Sequence, residues 1–412
     1  MNPILIHEAM VWDGTGADAF PGQVLIEGER IRTIAPASET LAANGADRID
    51  AKGRFLMPGM IEGHSHISFM DLSIASDLGE IPPEEHTLGS MHNARKLLDA
   101  GFTSACSAAS AKLRLDVVIR NEINAGRIPG PRMLAAGPEI TVTGGLGDAD
   151  LFHVSRNSFG MVADGPDEIV KAVRLCIREG VDIVKINISG DFSVPSSSDL
   201  MTGMDEAETR AAVDAAHERG KRIASHSRAP ASVQRALRTG VDIIYHCDHA
   251  DEETLDMLEA AKDRIITGPA FGNIVTALAH WEKQNTPMAV ERAGKLRRLF
   301  DNSCRTHAEM RRRGIRVVIG GDYGFATNPQ GTNARDLEHF VTHYGFTPSE
   351  ALQAATRIGG EIIDMGDELG LFKEGYLADL LLVDGNPLDD VRVMQDHSKI
   401  DMIMQAGQRY KG

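Results

Sequence analysis

Two histidines one residue apart, His64 and His66, close an apolar stretch that runs over residues 56–67 and is entered through Pro58-Gly59. In an extended strand, residues two apart point to the same face, so both imidazoles can be offered in one direction. Taken alone, such a pair is more often found on a surface or a loop than around a metal. Further along, polar groups recur at the same end of successive apolar runs. Lys185 lies within 181–186, His226 closes 222–226, His246 closes 241–246, and Asp322 follows 315–319 through Gly320-Gly321. Imidazole and carboxylate suit zinc and need no thiolate. Each residue has an ordinary explanation: a strand histidine is usually a satisfied core group, and Asp322 could cap a helix or make a turn. Lys185 is harder to explain away. It is flanked by Ile183, Val184, Ile186 and Ile188, and an unpaired buried ammonium is costly. Burial favours its neutral amine, a nucleophile. Reaction with CO2 would give a carbamate whose two oxygens can bridge two cations.

These groups must be held by alternating strands and helices. Strand-like runs at 56–67, 101–106, 131–136, 181–186, 222–226, 241–246, 265–267 and 315–319 alternate with helical patterns, clear at 84–100, 115–125, 205–219 and 232–238. Gly101, Gly180, Gly220, Gly240 and Gly314 stand at helix-to-strand junctions, as helix-ending glycines do. The pattern predicts an α/β chain, a (β/α)8 TIM barrel over residues 58–362. Residues 1–57 and 363–412 are both strand-rich, with turns such as Asp13-Gly14 and Asp384-Gly385-Asn386-Pro387. They are expected to join as the two parts of one small β-sandwich domain. In a barrel of this kind the strand ends carrying the histidines form the mouth where chemistry is done.

Bulk properties narrow the function classes. The 412 residues are 42% hydrophobic and 25% charged, an ordinary globular composition. A net charge of −16 argues against nucleic acid and against an anionic membrane as partners, since both need a basic face. Cys106, Cys176, Cys247 and Cys304 are widely spaced, with no Cys-x-x-Cys, and are expected to be reduced core thiols. The first residues lack a basic segment followed by an apolar one, and no apolar run approaches the roughly 20 residues of a membrane span. A cytoplasmic enzyme is expected.

The chain resembles the amidohydrolase superfamily, in the branch with imidazolonepropionase-like proteins, Xaa-Pro dipeptidases, arginine and lysine carboxypeptidases and ochratoxin-hydrolysing amidases. The resemblance rests on MPGMIEGHSHI at 57–67, GPRMLAAGPEITVTGG at 130–145, ADGPDEIVKAV at 163–173, GVDIVKINISGD at 180–191, ALRTGVDIIYH at 236–246, GGD at 320–322, and TPSEALQAAT and GYLADLLLVDGNPL near the end. It implies two divalent metal ions, zinc being expected, although manganese, cobalt and iron use the same ligands. His64, His66 and Asp322 would hold one ion and His226 and His246 the other, with carboxylated Lys185 bridging them. The implied function is cleavage of the amide C–N bond of a small-molecule substrate (a peptide, N-acyl amino acid, anilide or carbamoyl compound) by a hydroxide between the metals. Asp322 would be the catalytic proton carrier. A homo-oligomer is implied as well. The alternatives are a mononuclear deaminase or cyclic-amide (imidazolone) hydrolase, against which Lys185 speaks, and a non-catalytic relative, against which the complete ligand set speaks.

Departures from the resemblance fall in loops. Leu146 replaces a frequent histidine in TGGLGD, Gln330 starts QGTN where His-Gly-x-Asn is common, and Ser107-Ala108 stands in place of Arg-Asp. Leu146 and Gln330 are therefore candidate substrate contacts, as are Arg228, Tyr245, His249 and Tyr323, which crowd the strand ends. Surface ion pairing is the more common fate of such an arginine, and a plain loop position that of such a histidine.

Overall fold

The computed structural model describes residues 2–192 and 196–412. Both ends of the chain meet in one eight-stranded sheet. From the N-terminal end come β1 (Ile4–Val11), β2 (Phe20–Glu27), β3 (Arg30–Pro36), β4 (Asp47–Asp50) and β5 (Phe55–Pro58). The sequence reading ran β5 and the first histidine strand together as one element at 56–67. The structure divides them at Gly59. Pro58 has no N–H to continue a ladder, and Gly59 passes so close to Thr103 that a Cβ would lie 2.2 Å from its Oγ1. After the break the chain starts a new strand, β6 (Met60–Ser65).

Parallel strands follow, each reached through a helix. α1 (Pro83–Asp99) leads to β7 (Phe102–Ser107), and α2 (Leu115–Asn124) to β8 (Arg132–Leu134). Two short strands, β9 (Ile140–Thr141) and β10 (Met161–Val162), come before α3 (Gly165–Arg178) and β11 (Ile183–Asn187). Then α4 (Glu206–His217), β12 (Arg222–Ser227), α5 (Pro230–Thr239), β13 (Ile243–His246), α6 (Glu252–Ala260) and β14 (Ile266–Gly268) alternate. Strands β6-β7-β8 make one sheet, and β10-β9-β11-β12-β13-β14 another. A parallel bridge links Ala136 to Ile183, and another links Thr267 to Val317. The N–H of Gly63 donates to the Ile319 carbonyl at 3.1 Å. Strands β6, β7 and β11 are buried along their whole length, as parallel strands covered on both faces should be.

The predicted eighth strand at 315–319 is not regular in the structure, being held by the Val317 bridge and single hydrogen bonds. An apolar run predicts burial but not ladder length, and Gly320, with φ of 151°, turns the chain at once. The short β9 and β10, and β4, were not read from the sequence, because two to four residues carry no periodicity to read. The helices end as expected: Gly240, the C-cap of α5, has φ of 96°, a conformation glycine adopts without penalty. Asp205 caps α4 reciprocally with Glu208, so the element starts one residue inside the predicted span.

Beyond β14 lie α7 (Phe271–Trp281), α8 (Pro287–Arg312), α9 (Arg335–Tyr344), α10 (Pro348–Ala355) and α11 (Arg357–Ile362). The chain then returns to the first sheet as β15 (Leu380–Val383), β16 (Ile400–Gln405) and β17 (Gln408–Lys411). β15 pairs antiparallel with β5, Leu381 opposite Met57, so the full order is β17-β16-β15-β5-β1-β2-β3, with β4 beside β1. This sheet has its own apolar cluster, including Ile6, Val24, Leu56, Leu380 and Met402. No helix among the described residues is long and apolar enough to cross a membrane.

Candidate metal centre

Six predicted residues line one cleft: His64, His66, Lys185, His226, His246 and Asp322. They come from the C-terminal ends of β6, β12 and β13, from the middle of β11 and from the turn after residue 319. His64 and His66 converge as two residues of one strand end should, with their Nε2 atoms 3.1 Å apart. Asp322 places a carboxylate oxygen 3.5 Å from His66 Nε2 and 4.0 Å from His64 Nε2. His226 and His246 stand beside them, ring centroids 4.1 Å apart. His246 and Asp322 have φ of 77° and 65°, a left-handed backbone that costs non-glycine residues on the order of 1–3 kcal/mol and that clusters at functional sites.

Hydrogen bonds fix where the free lone pairs are. His66 Nδ1 lies 3.0 Å from the Ala109 carbonyl, which can only accept. The ring proton therefore sits on Nδ1, and Nε2 faces the cleft bare. His226 Nε2 donates to the Gly190 carbonyl at 3.2 Å, which frees Nδ1. His64 Nδ1 and His246 Nδ1 are buried with no partner among the described residues. Burial holds all four rings neutral, pushing His66 down to about 3 and the other three well below the ordinary value. Their mutual repulsion and the Arg228 and Lys185 charges push the same way. Neutral imidazoles crowded around a carboxylate are a donor set that a cation satisfies. Burial also lifts the Asp322 carboxyl to about 7, against the opposing charge of Arg228; a cation would draw it back to the ionised form.

Lys185 is 2% exposed. Its amine makes no hydrogen bond or ion pair among the described residues and stands 5.4 Å from the centre of the Tyr245 ring. Burial lowers its pKa, against the pull of Glu139 and Asp322. His64, His66 and Asp322 bring ligand atoms within 4.8 Å of one another, a donor set that fits a metal ion.

The Amidohydrolase family profile matches residues 55–410. The chain belongs to the amidohydrolase family. The ochratoxinase of Aspergillus niger is 25% identical over 378 residues, covering 87% of this chain and 76% of that one. An imidazolonepropionase of Acidiphilium cryptum is 22% identical over 404 residues, 92% of each chain. Among solved structures, a Xaa-Pro dipeptidase with methionine bound in its active site is 26% identical and superposes with a TM-score of 0.88 over 100% of both chains. This amidohydrolase is thus a hydrolase acting on carbon–nitrogen bonds.

Of the other predicted contacts, the structure brings only Leu146 to the cleft wall. Five are corrected to supporting positions. Tyr245 is fully buried beneath His64, its hydroxyl donating to the Gly63 carbonyl at 2.7 Å. Tyr323 donates to Asp336 and to the Asn333 carbonyl. Gln330 donates to the carbonyls of His66 and Tyr323 at 2.7 and 3.1 Å. Arg228 is buried between Asp191 and Asp248, neither a surface ion pair nor a free cation. His249 is held by Asp199 at 2.8 Å and by Asn302 at 3.0 Å. A polar residue beside a strand end has two directions open to it, and the sequence does not say which it takes.

The sequence reading missed one acidic and one aromatic wall. Glu139 and Asp191 line the cleft on one side, and Phe69, Phe159 and Phe325 on another. Phe69 stacks on His66 at 4.2 Å and meets the other two rings edge-on. Behind His64 lies Glu62, whose carboxylate accepts from Asn333 at 2.9 Å and is lifted by burial to about 8. Glu62 and Glu139 carried the same signal as Lys185, a charge inside an apolar run. The phenylalanines carried none.

Proposed function

We propose that this amidohydrolase is a binuclear metal-dependent amidase of small-molecule amides, and that its two parallel sheets close as a (β/α)8 barrel. The Ala136–Ile183 and Thr267–Val317 bridges and the Gly63–Ile319 hydrogen bond support closure, since they join the sheets at both seams. The barrel spans about residues 58–362, between the two terminal parts of the small β domain. His64, His66 and Asp322 would hold one divalent cation and His226 and His246 the second, zinc being the expected metal, with carboxylated Lys185 between them.

The observation that carries this reading is Lys185, a buried amine facing a cleft that already holds four neutral imidazoles and a carboxylate. A mononuclear deaminase or cyclic-amide hydrolase has no use for it. Bound cations would polarise the scissile carbonyl and acidify a water. The chain's own residues supply the rest. Asp322 accepts a proton from the attacking water and returns it to the departing nitrogen, so one carboxylate serves both steps. Ala109 and Gly190 hold the His66 and His226 tautomers. The aromatic wall keeps bulk water from one side of the cleft.

Elemental analysis of gently purified protein should find about two metal equivalents per chain. Lys185→Ala should lose them together with activity, and short carboxylic acids should restore both in part by filling the carbamate's place. One equivalent at full activity, or a Lys185→Ala variant unchanged in metal and rate, would overturn the proposal.

A further inference from the structure

Apart from the metals it would hold, the cleft around the scissile bond has little positive charge to offer a substrate. Among the described residues, Lys185 is its single basic lining residue outside the histidines. Arg228 stands behind the wall, but its charge is already paired with two carboxylates: Nε and one terminal nitrogen donate to Asp191 at 2.9 and 2.8 Å, and the other terminal nitrogen to Asp248 at 2.5 Å. Two carboxylates to one guanidinium leave that trio net negative, with Asp191 on the cleft side. Beside it Glu139 is 4% exposed, and its Oε1 has no hydrogen-bond partner among the described residues. A buried acceptor without a donor is costly, so a group that supplies an N–H there is favoured. An ionised carboxylate supplies none, because it can only accept. The remaining wall is mostly apolar, with Leu146 and the three phenylalanines Phe69, Phe159 and Phe325, and carries one neutral amide, Asn273.

Resting on the amidase reading above, we propose that the cleft selects aromatic or apolar amides without a carboxylate beside the scissile bond, and that Glu139 is the specificity-determining residue. Substrates with a neutral or cationic N–H group on that side are accepted, and free dipeptides and N-acyl amino acids are rejected. Arg156 is exposed, with one guanidinium nitrogen 3.5 Å from Oγ of Ser76, the chain neighbour of the lining residue Ala75. It is the control for a carboxylate held by a surface cation.

The test compares N-benzoylphenethylamine with N-benzoyl-L-phenylalanine, which differ by one carboxylate. It is run on the metal-loaded enzyme, on Glu139→Gln and on Arg156→Ala. The corresponding benzenesulfonamides, which resist hydrolysis, are titrated by calorimetry so that binding is read without turnover. Like charges meeting in a partly dry cleft should make the neutral compound better by at least about tenfold in kcat/KM and in Kd. Glu139→Gln is isosteric and lacks the charge, so it should shrink both ratios by about fivefold or more, and Arg156→Ala should leave them alone. Equal or tighter binding of the carboxylate by the parent enzyme, or ratios unmoved by Glu139→Gln, would overturn the inference. So would a carboxylate preference that Arg156→Ala removes. The binding arm decides the inference even if neither amide is hydrolysed, whereas absence of turnover with both metals bound counts against the amidase reading alone.

Discussion

In the proposed mechanism Asp322 acts as ligand and as proton carrier, and the two roles separate on substitution. Its carboxylate lies 3.5 Å from His66 Nε2. Asparagine keeps an oxygen in that place but cannot take up a proton at neutral pH. Asp322→Asn should therefore lose metal modestly and turnover by about 10²–10⁴-fold, the usual weight of a general acid–base group. Its deficit should be greatest on amides with poor leaving amines, which need the proton returned, and least on nitroanilides. A deficit equal on every leaving group, with both metals retained, would leave Asp322 with water activation alone. The residues at this scale were legible because chemistry restricts type and spacing together. Two imidazoles two apart in a strand mean little alone, but together with an amine buried among isoleucines and histidines at two further strand ends they line one cleft. Glu139 was equally visible as a charge inside an apolar run. Its role was not, since that depends on Arg228 being occupied by Asp191 and Asp248, a pairing between residues up to 37 apart in the chain.

The elements explain why predicted substrate contacts became braces. The turn carrying Asp322 and the segment after β6 have no ladder of their own to hold them. Gln330 supplies one, donating to the carbonyls of His66 and Tyr323 at 2.7 and 3.1 Å, while its backbone N–H is taken by Asp71 at 2.8 Å. Gln330→Ala leaves the Tyr323 carbonyl without its donor, while the His66 carbonyl keeps the Phe69 N–H at 2.9 Å, at a cost of about 1–3 kcal/mol. It also releases the backbone next to a ligand histidine. Thermal unfolding should shift down accordingly, and a chelator should strip metal faster than from the parent, with the kcat of the fully loaded enzyme little changed. An unaltered stripping rate would mean that the brace has no bearing on the site. Periodicity revealed α1, α2, α4 and α5 to within a residue or two at each end. It was blind to β9 and β10, and to the interruption at Gly59, which Pro58 and the approach of Thr103 set together.

Across the whole molecule, the terminal sheet grips the parallel strands at the end away from the histidines. Arg132, at the start of β8, donates to Asp379 Oδ2 at 2.7 Å. The other oxygen of Asp379 accepts from the Ala406 N–H at 2.7 Å, and its carbonyl accepts from Gly59 at 3.0 Å. Gln405 of β16 reaches the Thr103 carbonyl in β7 at 2.7 Å. Asp379 thus ties three parts together, its carboxylate joining the C-terminal strands to the first parallel sheet and its backbone carbonyl holding the β5–β6 break. That both ends would meet was readable from their shared strand texture; that Asp379 joins them was not, because its partner lies 247 residues away. Removing the carboxylate strands a guanidinium whose side chain is 24% exposed, so Asp379→Ala should cost about 3 kcal/mol, the low end for a broken buried pair. Arg132→Met removes the stranded charge, so the double variant should lose less than the sum of the two single changes. Because the tie is remote from the cleft, metal content and KM should stay at parent values in all three proteins. Denaturant unfolding should remain one transition followed equally by far-UV dichroism and by metal release. Two separated transitions in Asp379→Ala would show that the terminal sheet folds apart from the parallel strands, and the coupling assigned to this carboxylate would then be wrong.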